Sequence, residues 1–151
     1  MILDERTEFA DATSVGTPNN TTVNVGDVLD LTTARDIGAG LPPLYLVIQV
    51  TTAITSGGAA TVSFLLSSDS TGTIAVDGTQ TSHWESDTIA VATLVAGYTL
   101  VVPIPGEDPA YERFLGVQVR ENAGQALTAG NINAFLTFNP KQWKAYSDAA
   151  N

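Results

Sequence analysis

The sequence predicts an all-β protein, an antiparallel β-sandwich or jelly roll of about eight strands with an extended N-terminal arm. Three observations lead there. Apolar residues recur with period two in several separate runs, and turn residues (Gly, Pro, Asn, Ser) stand between the runs. No run carries the 3.6-residue stripe of an amphipathic helix, so no helical crossover is available to build a parallel sheet. Charged residues are only 15% of the chain against 44% hydrophobic, and Thr, Ser, Ala, Gly and Val fill the difference, a mixture of strands and turns rather than surface helices.

Residues 1–20, MILDERTEFADATSVGTPNN, are read as an arm. Ile2, Leu3 and Phe9 are apolar spots among Asp4, Glu5, Glu8 and Asp11, and a helical turn fits Asp4–Phe9. In this reading the arm lies outside the core, either as a frayed terminus or docking its three apolar residues on a neighbour by strand addition. The domain proper is 21–140, and 141–151 is a tail in which Trp143 and Tyr146 stand three apart, a spacing for a helical turn or clamp.

Strand signals follow in order. Thr22–Leu31 alternates at Val23 and Val25, with Gly26 marking a bulge. Leu44–Ile54 puts Leu44, Leu46, Ile48 and Val50 on one face and Tyr45 and Val47 on the other, so both faces are expected to be covered. Thr55-Ser56-Gly57-Gly58 reads as a hairpin turn into Ala60, Val62, Phe64 and Leu66. Ser67–Asp87 reads as a long polar loop with one short strand at Ile74–Val76. Ile89, Val91, Thr93 and Val95 alternate next. Tyr98, Leu100, Val102 and Ile104 share a face, and Pro103 and Pro105 confine that strand to an edge. Tyr111 to Val119 and Ile132 to Phe138 supply the last two strands.

The 151-residue chain holds 16 acidic and 6 basic residues, a formal charge of −10. Such a field repels phosphate backbones and anionic bilayers, so neither nucleic acid nor membrane is an expected partner. With no cysteine there is no disulfide and no thiolate chemistry. The first 20 residues lack the apolar h-region of a signal peptide, and no apolar run reaches the ~20 residues of a membrane helix.

Catalytic signals are few. The single histidine, His83, has Ser82, Glu85 and Asp87 as neighbours and reads as a loop residue beside Trp84. Only carboxylates are at hand to join it on zinc, which in catalytic sites takes three protein ligands. Asp69 and Asp77 lack the acidic periodicity of a calcium-binding loop. Glu107, Asp108 and Glu112 read as surface acids rather than a glycosidase pair. No enzyme activity, cofactor or metal is expected. Trp84, Trp143, Tyr98 and Tyr111 are the residues from which a sugar-stacking platform would be built.

Three blocks of residues resemble one known family. The first is Met1-Ile2-Leu3-Asp4 with Phe9-Ala10-Asp11-Ala12. The second is Asp30-Leu31, Ala34-Arg35-Asp36-Ile37-Gly38 and Pro43-Leu44-Tyr45-Leu46-Val47. The third is Arg113-Phe114-Leu115-Gly116-Val117 with Gly130-Asn131-Ile132 and Ala134-Phe135-Leu136. Together they resemble the jelly-roll capsid cement, or decoration, proteins of certain short-tailed bacteriophages. The resemblance does not reach Ser67–Asp87 or the last dozen residues. It implies a non-enzymatic protein without cofactor that assembles as a small symmetric oligomer, homodimer before homotrimer. Its place would be the outer face of an icosahedral head, binding neighbouring copies of the major capsid protein after synthesis in the host cytoplasm. Ile2, Leu3, Phe9, Arg35, Asp36, Trp143 and Tyr146 are the expected partner-binding residues, Arg35 and Asp36 serving either as a clamp of their own loop or as a direct contact. The competing expectation is a carbohydrate-binding sandwich of a phage fibre or surface protein.

Overall fold

The computed structural model describes residues 5–38, 40–106 and 109–142. Nine strands are formed: β1 (Glu8–Ser14), β2 (Thr22–Asp30), β3 (Tyr45–Ser56), β4 (Thr61–Asp69), β5 (Thr81–Glu85), β6 (Ile89–Ala90), β7 (Thr99–Pro103), β8 (Phe114–Glu121) and β9 (Leu127–Thr137). One sheet has the order β1-β9-β3-β7 and the other β2-β8-β4-β5, with the short β6 also on β4. Every pairing is antiparallel. This is the strand order of a jelly roll, and the expected fold class holds. The only helical segments among the described residues are three 3-10 turns, and no helix there is long and apolar enough to cross a membrane.

Period-two alternation builds the core as read. Leu46, Ile48 and Val50 of β3, Leu115, Val117 and Val119 of β8, and Ile132, Ala134 and Leu136 of β9 all point between the sheets and are buried. β3 is covered on its other face too, since Val47 is 2% exposed and pairs with the fully buried Phe135. Gly26 stands where β2 and β8 lose register between Val25 and Leu29, so the expected bulge is there. Its φ of +72° suits glycine, and a Cβ at that position would lie 1.9 Å from the Phe9 carbonyl oxygen. That close approach brings β1 onto β2 along one flank.

Four expectations are corrected. The arm assigned to residues 1–20 contains β1, which pairs with β9 at Glu8↔Phe135 and Ser14↔Asn131. Phe9 and Ala10 are 1% and 3% exposed and belong to the core, so Phe9 is not a partner anchor. The alternation was hard to see because the register shifts twice, around a bulge in which Ala12 takes φ +43° and its N–H is held by Asn133 Oδ1 at 2.6 Å. Second, Ser56-Gly57-Gly58 does not close a hairpin. β3 and β4 lie in different sheets, and the turn, braced by Ser56 Oγ donating to the Gly58 carbonyl, carries the chain across the core. A local pattern fixes a reversal of direction but not which sheet the second strand joins.

Third, Ile74–Val76 is not a strand. Ile74 is 1% exposed and caps the outer face of β8, where Gly116 leaves room for it. Gln118 holds the same loop by donating from Nε2 to the Ala75 carbonyl and to Asn24 Oδ1, each at 2.8 Å. The polar stretch also gives its ends to β4 and β5. Fourth, the run from Ile89 stops after two residues of strand and turns through a 3-10 turn at Val91–Thr93. Ile2, Leu3, Trp143 and Tyr146 lie outside the described residues.

Buried charge is concentrated in Glu121, at the end of β8, whose residue is 0% exposed. Its carboxylate accepts four backbone N–H groups, from Asn20 (2.8 Å), Ala123 (2.7 Å), Gly124 (2.9 Å) and Gln125 (3.2 Å). Burial alone would raise its pKa and is the largest single influence, but the N–H bonds together outweigh it and hold the carboxyl below the ordinary value of 4.5. One side chain thus ties the loop before β2 to the loop after β8.

Two outcomes are expected. Phe9→Ala should cost the isolated protein about 3–5 kcal/mol in urea unfolding, the usual loss for a buried phenylalanine; a change within experimental error would return residue 9 to an arm. Glu121→Gln should cost about 2–3 kcal/mol near neutral pH through poorly matched buried donors. The folded-state value of Glu121 is depressed, so its contribution is present above pH 4.5 and lost as pH falls through the depressed value. The gap between wild type and Glu121→Gln should therefore close on acidification, and a constant gap would show that the charge is not what stabilises.

Candidate functional site

Some of the residues that carry the resemblance, Asp30–Leu31, Ala34–Gly38, Pro43–Val47 and Arg113–Val117, come together at one end of the sandwich. Asp30, the last residue of β2, receives Arg113 in a two-pronged bond, Nε to Oδ1 at 2.8 Å and Nη2 to Oδ2 at 2.7 Å. Thr32 N–H donates to the same Oδ1 at 2.7 Å. These bonds hold the Asp30 carboxyl down at about 2, the Arg113 side chain being the largest cause. The Arg113 guanidinium also lies 4.8 Å from the centre of the Phe114 ring. The start of the loop 31–44 is therefore fixed to the start of β8.

Further along the loop, Arg35 Nη2 donates to Thr32 Oγ1 at 2.9 Å, and Gly38 N–H donates to Asp36 Oδ1 at 2.7 Å. A Cβ on Gly38 would sit 1.7 Å from the Pro105 carbonyl oxygen, so the loop is seated directly on the segment after β7. Arg35 and Asp36 both brace their own loop. Arg35 is exposed as well and Asp36 is half-buried, so Arg35 is the one of the two with a surface to offer. The loop then presents Leu41, which is 95% exposed. Phe138, one residue past β9, is 61% exposed. In the ladder Tyr45↔Thr137 it falls level with Leu44, at the same end of the sheet. Leu41 was not singled out by pattern, and Phe138, read as the end of the last strand's apolar face with Ile132, Ala134 and Leu136, is a correction: β9 stops at Thr137 and Phe138 protrudes beyond the sheet.

His83 is not a loop residue. It lies in β5, half-buried, with its ring stacked on Tyr111 at 3.8 Å between centres and 13° between planes. Its Nε2 is 2.7 Å from Ser68 Oγ. That hydroxyl also accepts the Glu112 N–H at 3.0 Å, and its bond with Nε2 runs in the direction the imidazole tautomer sets. Nδ1 is buried near the Pro109 carbonyl without a hydrogen bond of good geometry. Burial lowers the His83 pKa, with the Pro109 carbonyl and the Glu112 carboxylate opposing to a lesser degree. Tyr111 donates its hydroxyl to Pro105 at 2.8 Å, and burial raises its pKa.

A serine bonded to a histidine resembles a nucleophile and its base. Here Ser68 is 0% exposed, and the histidine has no carboxylate on Nδ1 to orient it. The cluster is a clasp that pins the β7–β8 connection against β4 and β5. The acids of the polar loop are spoken for in the same way. Asp69 accepts N–H groups from Thr71 and Ala75, each at 3.0 Å, and Asp77 accepts the N–H and hydroxyl of Thr79. Hydrogen bonding lowers both pKa values, through Ala75 first for Asp69 and the Thr79 hydroxyl first for Asp77. Among the described residues no group of three or more His, Asp or Glu side chains is placed to hold a metal ion. Glu112 accepts the Thr81 hydroxyl at 2.7 Å, while Glu107 and Asp108 lie outside the described residues.

Among the described residues the aromatic platform is reduced to two, Trp143 lying outside them. Tyr111 is 2% exposed, whereas Trp84 and Tyr98 line one groove.

His83 is expected to matter for stability, contrary to its reading as a loop residue. His83→Ala should cost about 1–2 kcal/mol from the lost stack and hydrogen bond. Because the folded ring has a lowered pKa, its contribution is complete above the unfolded value near 6.5 and declines as pH falls toward the folded one. His83→Phe should keep the stack and lose that slope below pH 6.5. An unchanged slope in thermal unfolding would place the titrating group elsewhere.

Among curated proteins none matches the chain. The family model Bbp16 matches residues 9–136, from the second residue of β1 to within one residue of the end of β9. With both sheets inside the matched span, the chain belongs to the Bbp16 family.

Proposed function

We propose that this protein is a capsid cement, or decoration, protein. In this reading it binds the outer surface of a tailed-phage icosahedral head and strengthens contacts between major capsid proteins. One observation carries the reading. The blocks that resemble the cement proteins, Asp30-Leu31, Ala34–Gly38, Pro43–Val47 and Arg113–Val117, converge on a braced loop with an exposed apolar tip rather than around a reactive cavity. A stiff loop loses little conformational freedom on docking, which suits a protein whose task is adhesion. The jelly-roll strand order and membership of the Bbp16 family agree with a phage-associated structural protein.

The protein acts without catalysis or cofactor, as a homodimer or, second, a homotrimer on the virion surface. Its acidic surface, −10 overall, suits partners presenting basic groups. Leu41 and Arg35 are the contacts proposed from the loop. The carbohydrate-binding alternative retains one support, the pairing of Trp84 and Tyr98 in a groove.

The test is co-sedimentation with capsids that lack the protein. Wild type should pellet with the shells and saturate. Leu41→Asp should bind at least about tenfold more weakly, the loss of one buried leucine side chain, while its melting temperature stays unchanged because Leu41 touches little of its own domain. Failure of the wild type to pellet, or full occupancy by Leu41→Asp, would overturn the reading or its contact loop respectively.

A further inference from the structure

The two flanks of the sandwich differ. On one, β1 lies against β2 at Gly26, with no space for a side chain between them. On the other, β7 is the edge of its sheet and β5 the edge of the opposite sheet, with β6 continuing along β4. Between them runs a groove of about 550 Å3 lined by Trp84, Ile89, Tyr98 and Leu100, with Glu85 and Asp87 at its rim. The four apolar side chains are partly buried against the core, so the groove is an opening into the sandwich rather than a surface scratch.

The backbone of β7 is unpaired on that side. Tyr98 O accepts from Val50 N–H and Ile104 N–H donates to Leu44 O, so even-numbered residues of β7 turn their polar groups toward β3. By strand parity Thr99, Val101 and Pro103 turn theirs outward. All three are exposed, Val101 at 47%. Thr99 and Val101 thus offer two N–H and two C=O groups, and Pro103, which has no N–H, ends the ladder. Such an edge is a template for one more strand.

We propose that this flank accepts a short extended basic segment of another protein as an added strand beside β7. The main chain of the guest would pair with Thr99 and Val101. Its inward side chains, which are apolar, would enter the groove between Tyr98 and Leu100 on one wall and Trp84 on the other. Charge selects the rest of the guest. Asp87 is exposed and its carboxylate has no hydrogen-bond partner among the described residues, and Glu85 stands beside it, paired with Arg120 at 2.7 Å. Lysine or arginine flanking the apolar residues meets these carboxylates and the aromatic faces together. A second copy of this chain is disfavoured on the same ground, since pairing β7 with β7 would bring two chains of charge −10 and their Asp87 rims into proximity. The proposal does not depend on the capsid reading.

The experiment uses the full chain carrying Trp143→Phe, so that Trp84 is the only tryptophan, and follows its fluorescence. The probe is the capped pentapeptide Lys-Val-Lys-Val-Lys. The controls are Glu-Val-Glu-Val-Glu and a Lys-Val peptide N-methylated at alternate residues, which cannot complete the ladder. Saturable binding of the basic peptide is expected, weakened at least about tenfold by N-methylation, by Asp87→Lys or by Val101→Pro, as for lost strand addition or a reversed rim charge. Val101→Pro removes an outward N–H, as Pro103 already does, and its fold is checked by circular dichroism; should it not fold, the N-methylated peptide decides the ladder. No saturation at millimolar peptide, equal binding of the acidic peptide, or indifference to N-methylation would overturn the proposal. So would light scattering that shows a self-associated species broken by Val101→Pro, which would give the edge to a second copy. Saturable quenching of Trp84 by an added oligosaccharide and by none of the peptides would also overturn the proposal and give the groove to sugar.

Discussion

The structure depends on one constraint: its strands must keep crossing between two sheets to bury a single apolar layer. β1, β2, β3 and β4 alternate sheets, as do β7, β8 and β9. Partners in a ladder are therefore remote in sequence, β1 with β9 and β2 with β8. Each crossing leaves backbone N–H groups at the ends of the sandwich with no strand to receive them. Carboxylates meet that need. Glu121 receives four such groups between the β1–β2 and β8–β9 connections, and Asp30 one along with Arg113 at the β2–β3 crossing; Asp69 does the same for two N–H groups in the β4–β5 loop, which stays within one sheet. Part of the acidity that reads as surface charge in the sequence is internal scaffolding.

This explains what was legible beforehand. Alternation identified the inward faces of β3, β8 and β9, because a half-buried strand cannot hide its period. Gly26 was readable as a bulge and Pro103 as an edge marker, since each has one local mechanism. Strand partners were not readable. Ser56-Gly57-Gly58 has the composition of a hairpin and performs a sheet switch, and the difference lies wholly in remote contacts. β1 was hidden by its bulge at Ala12 and by the acids Glu8 and Asp11 that flank its buried pair. His83 was underrated because its partners, Ser68 and Tyr111, are 15 and 28 positions away and belong to other segments.

The candidate contact loop shows the same division. Its glycines and prolines marked it as a shaped segment, and the resemblance marked Arg35 and Asp36. Only the fold brings Arg113 to Asp30, seats Gly38 on Pro105, and leaves Leu41 outermost. The His83 clasp then acts at one remove: Tyr111 holds the Pro105 carbonyl, and Pro105 carries the loop. The loop that ends in Leu41 is thereby braced by side chains buried behind Pro105.

The pairing of β1 with β9 also has a bearing on biosynthesis. Residues 8–14 are translated long before residues 127–137, which they must join. At ~5–20 residues per second the first strand waits roughly 6–25 s for its partner. During that interval Phe9 and Ala10 have no sheet to enter, and an apolar strand with free edges is prone to pair with whatever is near. Glu8 and Asp11, on either side of that apolar pair, keep the waiting segment charged and soluble. The acids that disguised β1 as an arm are thus of most use while the nascent strand still is one.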